Sequence, residues 1–374
     1  MRLKISFDRN AVMNDRVRND PFTSPRVKLL AHEVCRQFLP DEAFYAPCPA
    51  TMEDLFLAHP PAYVKAVMNA IPGYGSIDLG YELALQALGD PLAAKNRARE
   101  FGEEVWLDHR SGDHLMSAAG SGLDALRRLQ ADEADVIVCL DNSNHHAERL
   151  RPMGFCTFGN VGLTALAAAQ QGVRVLSFDC DVHEGNGTAD IVKDNKNILH
   201  VSLHLRVSEA AKKRGDPVCQ NEYPYRPIGW QEITASNILN IGLPEGTDGR
   251  LYRDVMTHQV LPRIREFKPT LAIITFGCDA IAGDAIGGFN LTPQDLVKAC
   301  LRILPLAESK AIIRAAGCYT MTNAVQGFAH LIGSLTRQSP ESIQEIIKNL
   351  SEKAKRSDQL LYRRRQLAGQ QLAH

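Results

Sequence analysis

The sequence predicts an α/β fold, with one three-layer domain over residues 1–374 and a central, mostly parallel sheet flanked by helices. Three observations support this prediction: short apolar runs recur along the chain, longer segments of helical character separate them, and polar clusters directly follow several runs. Continuous apolar runs are typical of strands covered on both faces. Alternating strands and helices are typical of a parallel sheet between two helical layers. A length of 374 residues is common among large α/β folds.

The apolar runs predict seven strands and the segments of helical character predict eight helices. The strands are about residues 3–7, 135–140, 173–178, 198–204, 237–242, 271–277 and 311–317. The helices are about residues 25–38, 51–70, 80–104, 115–130, 160–171, 250–267, 293–307 and 320–334. The clearest helix follows Thr292, which can cap it, while Pro293 suits the first helical position.

The tail, from about residue 340 to 374, is amphipathic and basic. This pattern predicts a C-terminal helical extension that packs on the domain and turns a charged face to solvent. A partner-binding role for this extension is the alternative.

Composition and charge exclude several classes of function. The net charge is −1, so we expect no direct binding of nucleic acid. No apolar run is long enough to span a membrane, and the N-terminus lacks the apolar core of a signal peptide. The nine cysteines form no CxxC pair, which favours reduced thiols and a cytoplasmic location.

Polar clusters follow four of the predicted strands. They are "DNSNHHAE" after 135–140, "DCDVHEGNG" after 173–178, "CDAIAGDAIGG" after 271–277 and "CYT" after 311–317. Ligands of open α/β sheets bind outside the carboxyl ends of the strands. We therefore expect these clusters to meet at one site, as in an enzyme.

Asp181 and His183 are candidate metal ligands. Residues i and i+2 of a strand project to the same side, and a carboxylate with an imidazole suits zinc or another divalent transition metal. Asp279, at the end of a second strand, is the natural third ligand. Three protein ligands with an open position are typical of catalytic zinc. The alternative is that these carboxylates cap loops and turns.

His145, His146 and Tyr319 are candidate catalytic residues. Adjacent histidines in a loop can reach different partners and supply a base and an acid. A phenol at a strand end can donate to an oxyanion. The alternatives are one surface and one core histidine, and a buried tyrosine with a satisfied hydroxyl.

Five blocks resemble, in order and spacing, the metal-dependent histone deacetylase and acetylpolyamine amidohydrolase superfamily. They are "NHHAERLRPMGFCTFGNV", "FDCDVHEGNGTADI", "HVSLH", "GCDAIAGDAIGGFNLTP" and "AGCYT", between about residues 100 and 335. The resemblance implies an arginase-like α/β fold. It also implies zinc, with iron(II) or cobalt(II) as alternatives, held by Asp181, His183 and Asp279.

The same resemblance implies roles for further residues. His145 and His146 match the tandem histidines of the family, with Asp179 as the partner of His145 and Asn186 as the partner of His146. Tyr319 matches the catalytic tyrosine. Gly154 and Phe155 match part of the channel that accepts the acyl-lysine arm. A structural potassium ion is implied, with ligands from Asp179, Ser202 and the carbonyls of Asp181, His183 and Leu203.

The chain departs from the family pattern at three places. Asn144 stands where the family usually has glycine before the tandem histidines, and Cys318 stands where it usually has glycine before the tyrosine. The segment "LRVSEAAKK" after "VSLH" lacks the aromatic residue that many lysine deacetylases use as the opposite channel wall.

We expect amide hydrolysis of an N-acylated amine, such as acetyl-lysine or an acetylpolyamine. A two-manganese ureohydrolase is one alternative, but that chemistry typically needs D-x-H-x-D, and position 185 is glycine. A non-catalytic acyl-lysine binder is the other. Asp108 or Asp113 could select a cationic substrate or could cap a loop, and homo-oligomerisation is left open.

Overall fold

The computed structural model describes residues 1–14, 25–141, 143–206 and 235–371. Its strands are β1 Leu3–Ser6, β2 Phe44–Tyr45, β3 Ser76–Asp78, β4 Trp106–Asp108, β5 Val136–Cys139, β6 Val175–Asp179, β7 Ile198–Leu205, β8 Ile238–Leu243, β9 Leu271–Phe276 and β10 Ala311–Ala315. Its helices are α1 Arg9–Asn14, α2 Pro25–Arg36, α3 Met52–Leu55, α4 Pro61–Ala70, α5 Leu79–Leu88, α6 Pro91–Phe101, α7 Ser111–Gln130, α8 Asn160–Gln170, α9 Asn186–Val192, α10 Gly249–Val255, α11 Leu261–Phe267, α12 Pro293–Ile303, α13 Met321–Leu335 and α14 Pro340–Gln371.

Eight strands form the central sheet in the order β2-β1-β5-β10-β9-β6-β7-β8. Every neighbouring pair in this sheet is parallel, so the predicted parallel sheet between helices is confirmed. β3 and β4 form a separate antiparallel pair. In the middle of the sheet β5, β10, β9 and β6 lie side by side, which brings the four polar clusters to one edge.

The two faces of the sheet bury two separate hydrophobic cores. Val136 and Val138 of β5 pack in one core, whereas Ile137 and Cys139 pack in the other. This alternation follows from the period of two along a strand. All four residues are fully buried, which explains why the strand is apolar without interruption.

Two predicted helices are each broken in two at glycine or proline, and a third contains a π-helical turn. Within residues 80–104, α5 ends at its C-cap Gly89, whose φ of +67° is left-handed. Asp90 is then the N-cap of α6, which begins at Pro91. The segment 51–70 breaks before Pro61, the first residue of α4. The segment 250–267 contains a π-helical turn, Met256–Val260. The capping of α12 by Thr292 is confirmed, since its hydroxyl accepts a hydrogen bond from Asp295 N–H at 3.2 Å.

Helix α14 begins just after α13 and packs against it. Among its described side chains, Ile343, Leu350 and Ala354 are buried, and they recur at helical spacing on one face. Gly333 of α13 permits the contact, because a Cβ there would lie 2.5 Å from Ile343 Cγ1.

Within the described ranges, no helix is both long and apolar enough to cross a membrane. The cysteines in those ranges are free thiols.

Candidate metal centre and active site

Asp181, His183 and Asp279 form a fully buried group at the carboxyl edge of the sheet. Each offers a ligand atom, and these atoms all lie within 4.8 Å of one another. His183 Nδ1 is 3.1 Å from Asp181 Oδ1 and 3.0 Å from Asp279 Oδ2. The chain thus brings together two carboxylates and one imidazole from two strand ends that are 96 residues apart.

The electrostatics of this group favour a cation between the carboxylates. Burial and the charge of Asp181 raise the pKa of Asp279 to about 7. Burial alone would lower the pKa of His183, but its hydrogen bonds to both carboxylates raise it to about 10. Two buried carboxylates are costly without a compensating positive charge, and the three donors suit a divalent transition metal. The residues present therefore fit the metal that the sequence predicts.

Two glycines make room for the carboxylates. A Cβ at Gly317 would lie 1.9 Å from Asp279 Oδ2, and a Cβ at Gly277 would lie 2.4 Å from Asp181 Oδ2. The N–H of Gly317 donates to Asp181 Oδ2 at 2.7 Å. The carboxylates can lie at these strand ends only because both backbone positions lack a side chain.

His145 is held by Asp179 at the end of β6. Its Nδ1 lies 2.8 Å from Asp179 Oδ2, so Nδ1 carries the proton and donates it. Burial alone would lower the pKa of His145, but Asp179 and Asp181 raise it to about 8. His145 therefore favours its charged form near neutral pH.

Gly185 is required by this pairing. A Cβ at position 185 would lie 2.4 Å from Asp179 Oδ2, the atom that accepts the hydrogen bond from His145. A carboxylate at position 185 would collide with Asp179. The packing around His145 and Asp179 thus leaves no room for the last carboxylate of a D-x-H-x-D motif.

His146 is held by Asn186, the first residue of α9. His146 Nδ1 lies 2.8 Å from Asn186 Oδ1. The amide nitrogen of Asn186 faces acceptors only, namely Glu148 Oε1 at 3.0 Å, Met153 Sδ at 3.3 Å and the His146 carbonyl at 3.4 Å. These acceptors orient the amide, so Oδ1 faces His146 and accepts the Nδ1 proton. Nε2 is then the unprotonated nitrogen of His146.

The pKa of His146 is far below its usual range, because the ring is buried and His145 and His183 add positive charge nearby. The two histidine rings, whose centroids are 3.9 Å apart, therefore differ in charge near neutral pH. The aspartate–histidine pair favours the cation and the asparagine–histidine pair favours the neutral ring.

Glu148 was missed by the sequence analysis. It lies two residues after His146, yet it acts on that histidine only through Asn186, 38 residues further along the chain. Glu148 is half-buried, and apart from its place in "HHAE" nothing in the neighbouring sequence indicates a role for it.

Changing Glu148 to alanine is expected to lower kcat about tenfold, which lies at the low end of the usual effect of removing an outer-shell partner. The reason is that Asn186 loses the charged acceptor that fixes its amide orientation. Steady-state kinetics of the amide hydrolysis that the sequence leads us to expect would measure this loss. Glu148→Gln is the matched control, since its amide oxygen can accept the same hydrogen bond and kcat should stay within about twofold of wild type. Equal losses in both variants would contradict this role.

Tyr319 lies beside the group of Asp181, His183 and Asp279, despite the side chain at position 318. Its ring is edge-on to that of His183, with centroids 6.4 Å apart. Burial and the nearby carboxylates raise the pKa of the phenol well above its usual range, so the hydroxyl keeps its proton. Cys318 belongs to the hydrophobic core cluster that also contains Cys278 and Phe328, and its Sγ lies 3.6 Å from the Thr320 carbonyl oxygen.

The second departure, Asn144, has a conformational explanation. Its φ is +52°, in the left-handed region that favours glycine and that asparagine tolerates better than most residues. Asn144 therefore has the backbone conformation that a glycine before His145 and His146 would readily adopt.

A cavity of about 70 Å³ adjoins the two histidines and Tyr319. Gly154 and Phe155 line it, with φ of +53° and +63°. Their backbone N–H groups donate to the carbonyls of Glu103 and Glu104, both at 3.1 Å. The opposite wall that the sequence analysis considered falls largely in residues 207–234, which lie outside the described ranges.

The other predicted residues have these positions. Ser202 of β7 is in register with Asp179 of β6, and Ser202 and Leu203 are fully buried. Asp108 binds Arg110 at 2.6 Å and accepts the Arg110 N–H at 2.8 Å, so it caps a loop. Asp113 is exposed on α7.

The chain is similar to several known proteins. The family model described as "Histone deacetylase domain" matches residues 20–335. Histone deacetylase 6 of Arabidopsis thaliana is 26% identical over 281 residues, covering 75% of this chain and 55% of that protein. Histone deacetylase clr3 of Schizosaccharomyces pombe is 34% identical over 224 residues, covering 59% of this chain and 32% of that protein.

An uncharacterized protein of Synechocystis sp. is 35% identical over 188 residues, covering 50% of this chain and 57% of that protein. The matches thus cover little more than half of these curated relatives at most. The crystal structure of the HDA15 HD domain matches with a TM-score of 0.69 and 20% identity, covering 98% of this chain and 99% of that one. At this identity the match shows the fold.

Proposed function

Since the chain belongs to the histone deacetylase domain family, we propose that it is a zinc-dependent amidohydrolase that removes acetyl or related acyl groups. The substrate would be an N-acylated amine such as acetyl-lysine or an acetylpolyamine. Members of this family are typically metal-dependent deacetylases. The observation that carries the proposal is the buried group of Asp181, His183 and Asp279, beside which Asp179 and Asn186 hold the adjacent His145 and His146.

Zinc would be held by Asp181, His183 and Asp279, with iron(II) or cobalt(II) as alternative occupants. When bound, zinc polarises a carbonyl group and lowers the pKa of water. Gly185 and its contact with Asp179 favour this one-metal chemistry over that of a two-manganese ureohydrolase.

His146 is the general base of the proposed mechanism. Its neutral ring presents Nε2 as proton acceptor, because Asn186 holds the proton on Nδ1. Nε2 takes a proton from the attacking water and then gives it to the leaving amine nitrogen. His145, whose Nδ1 donates to Asp179, would stabilise the oxyanion that develops during attack.

Tyr319 donates its hydroxyl proton in a hydrogen bond to that oxyanion. The raised pKa of the phenol suits this role, because a donor must keep its proton throughout the reaction. One such donor typically contributes about 10²–10³ in kcat.

Gly154 and Phe155 would form one wall of the channel for the acylated arm, since they line the cavity beside His145 and His146. A structural potassium ion would be bound by Asp179, Ser202 and the carbonyls of Asp181, His183 and Leu203. The buried, in-register placement of Asp179 and Ser202 supports this second ion.

A substrate panel tests the proposed function. Acetate release from acetyl-lysine peptides and acetylpolyamines should be measured with zinc, iron(II) or cobalt(II) added to the purified chain. We expect hydrolysis of at least one class, and its loss in His146→Ala. No turnover on the whole panel, together with tight binding of a hydroxamate, would favour the non-catalytic acyl-lysine binder instead.

A further inference from the structure

The C-terminal helix α14 lies beyond the part of the chain that the family model matches, which ends at residue 335. Its buried face follows one helical stripe, from Ile343 through Leu350 and Ala354. The next position on that stripe, four residues after Ala354, is Asp358. The described part of this stripe therefore includes a carboxylate turned toward the domain.

Asp358 binds the first turn of α13, the helix that follows Tyr319. Asp358 Oδ1 accepts the Met321 N–H at 2.6 Å. Its Oδ2 accepts the Thr322 N–H at 3.1 Å and the Thr322 hydroxyl at 2.5 Å. The first N–H groups of a helix have no partner within the helix, so they need acceptors from elsewhere.

The local chain does not supply this cap. Thr320 is the N-cap residue of α13, but its side chain makes no capping hydrogen bond. The Thr320 hydroxyl instead accepts the N–H of Ala285 at 3.1 Å. Asp358 thus takes the role that an N-cap side chain usually has, and it comes from 36 residues further along the chain.

Tyr319 is held on its other side by Asp284, whose Oδ2 accepts the Tyr319 N–H at 3.1 Å. The short segment from Tyr319 to Thr322 is therefore fixed between two carboxylates. Asp284 comes from the loop that follows Asp279, whereas Asp358 comes from the tail.

We propose that Asp358 is a positioning residue for Tyr319, so that helix α14 supports catalysis from outside the family domain. This inference rests on the proposed function. Without the cap, the first turn of α13 loses the acceptor for two N–H groups and the segment bearing Tyr319 loosens. The phenol then spends less time where it can donate to an oxyanion. A small misplacement of a reacting group can cost up to about 10²-fold in rate.

A double-mutant cycle on the full chain tests the proposal. Asp358→Ala is expected to lower kcat by roughly 10- to 100-fold with little change in KM. In the Tyr319→Phe background the same change should lower kcat by less than about twofold, because its effect passes through the phenol. An equal loss in both backgrounds would overturn the proposal, since it would indicate a general effect on the fold.

Two further variants separate the cap from helix docking. Glu352→Ala removes an exposed carboxylate of the same helix, which pairs with Lys355, and should leave kcat unchanged. Asp358→Asn retains the side-chain volume but only one acceptor oxygen, so its kcat should fall between wild type and Asp358→Ala. If both Asp358→Asn and Asp358→Ala had the wild-type kcat, the proposal would be overturned.

Hydrogen exchange of the backbone amides of residues 319–323 gives a readout independent of turnover. Exchange should be faster in Asp358→Ala than in wild type and Glu352→Ala, and unchanged exchange would overturn the proposal. If wild type hydrolysed no substrate, the proposed function would fail, while this exchange measurement would still decide whether Asp358 holds the segment.

Discussion

Replacing Asp279 by alanine is expected to remove bound zinc and amide hydrolysis together. Asp279 supplies one of only two carboxylates in the buried group, and its Oδ2 lies 3.0 Å from His183 Nδ1. Its other oxygen accepts the Val182 N–H at 3.1 Å, which fixes the carboxylate between two strand ends. Alanine would leave two ligands, too few to hold a catalytic zinc.

The loss of rate should be large. Polarisation by a bound metal contributes several kcal/mol to the transition state, which corresponds to about 10³-fold or more in kcat. Zinc per chain and acetate release should be measured on the same purified sample. His146→Ala is the matched control, because it should lose hydrolysis and retain zinc. If Asp279→Ala bound as much zinc per chain as wild type, Asp279 would not be a zinc ligand.

Replacing Tyr319 by phenylalanine is expected to lower kcat by about 10²–10³-fold, the usual effect of removing one oxyanion donor. The ring remains, so packing against His183 should be preserved. KM should change little, since the lost hydrogen bond forms mainly in the transition state.

Steady-state kinetics on the best substrate of the panel measure this effect. Tyr74→Phe is the matched control, because Tyr74 is 88% exposed and its hydroxyl should not matter for rate. An unchanged kcat in Tyr319→Phe would show that the phenol takes no part in the reaction.

The arrangement of the site follows closely from the sequence because it depends on the sheet. Once 135–140, 173–178, 271–277 and 311–317 are interpreted as parallel strands, the polar residues after them must lie at one edge. The strands β5, β10, β9 and β6 are indeed neighbours. The order of the parallel strands by itself brings together the strand ends that bear Asp181, His183 and Asp279.

Other features depend on contacts that no local pattern shows. Gly185 could be noted as a missing carboxylate, but only the structure shows that any side chain there would collide with Asp179. Asn144 differs from the usual glycine in type but not in conformation, since its φ is +52°. Glu148 and Asp358 act across 38 and 36 residues, through side-chain hydrogen bonds that have no periodicity.

The broken helices show a different limit. Residues 80–104 have enough helical character for one helix, but Gly89, Asp90 and Pro91 supply a C-terminal cap, an N-cap and a helix start in succession. The apolar pattern outweighed these signals in the sequence prediction. The site was unaffected, because α5 and α6 lie before β5 and contribute none of its reactive side chains.

The most direct test of the central claim is to count metal ions and measure hydrolysis on one sample. The purified chain should be stripped with a chelator, titrated with zinc and assayed for acetate release at each step. We predict that activity falls to background on stripping and returns in proportion to zinc, reaching its maximum at one ion per active site. Activity that persists in the stripped protein, or that requires two catalytic ions, would contradict the account.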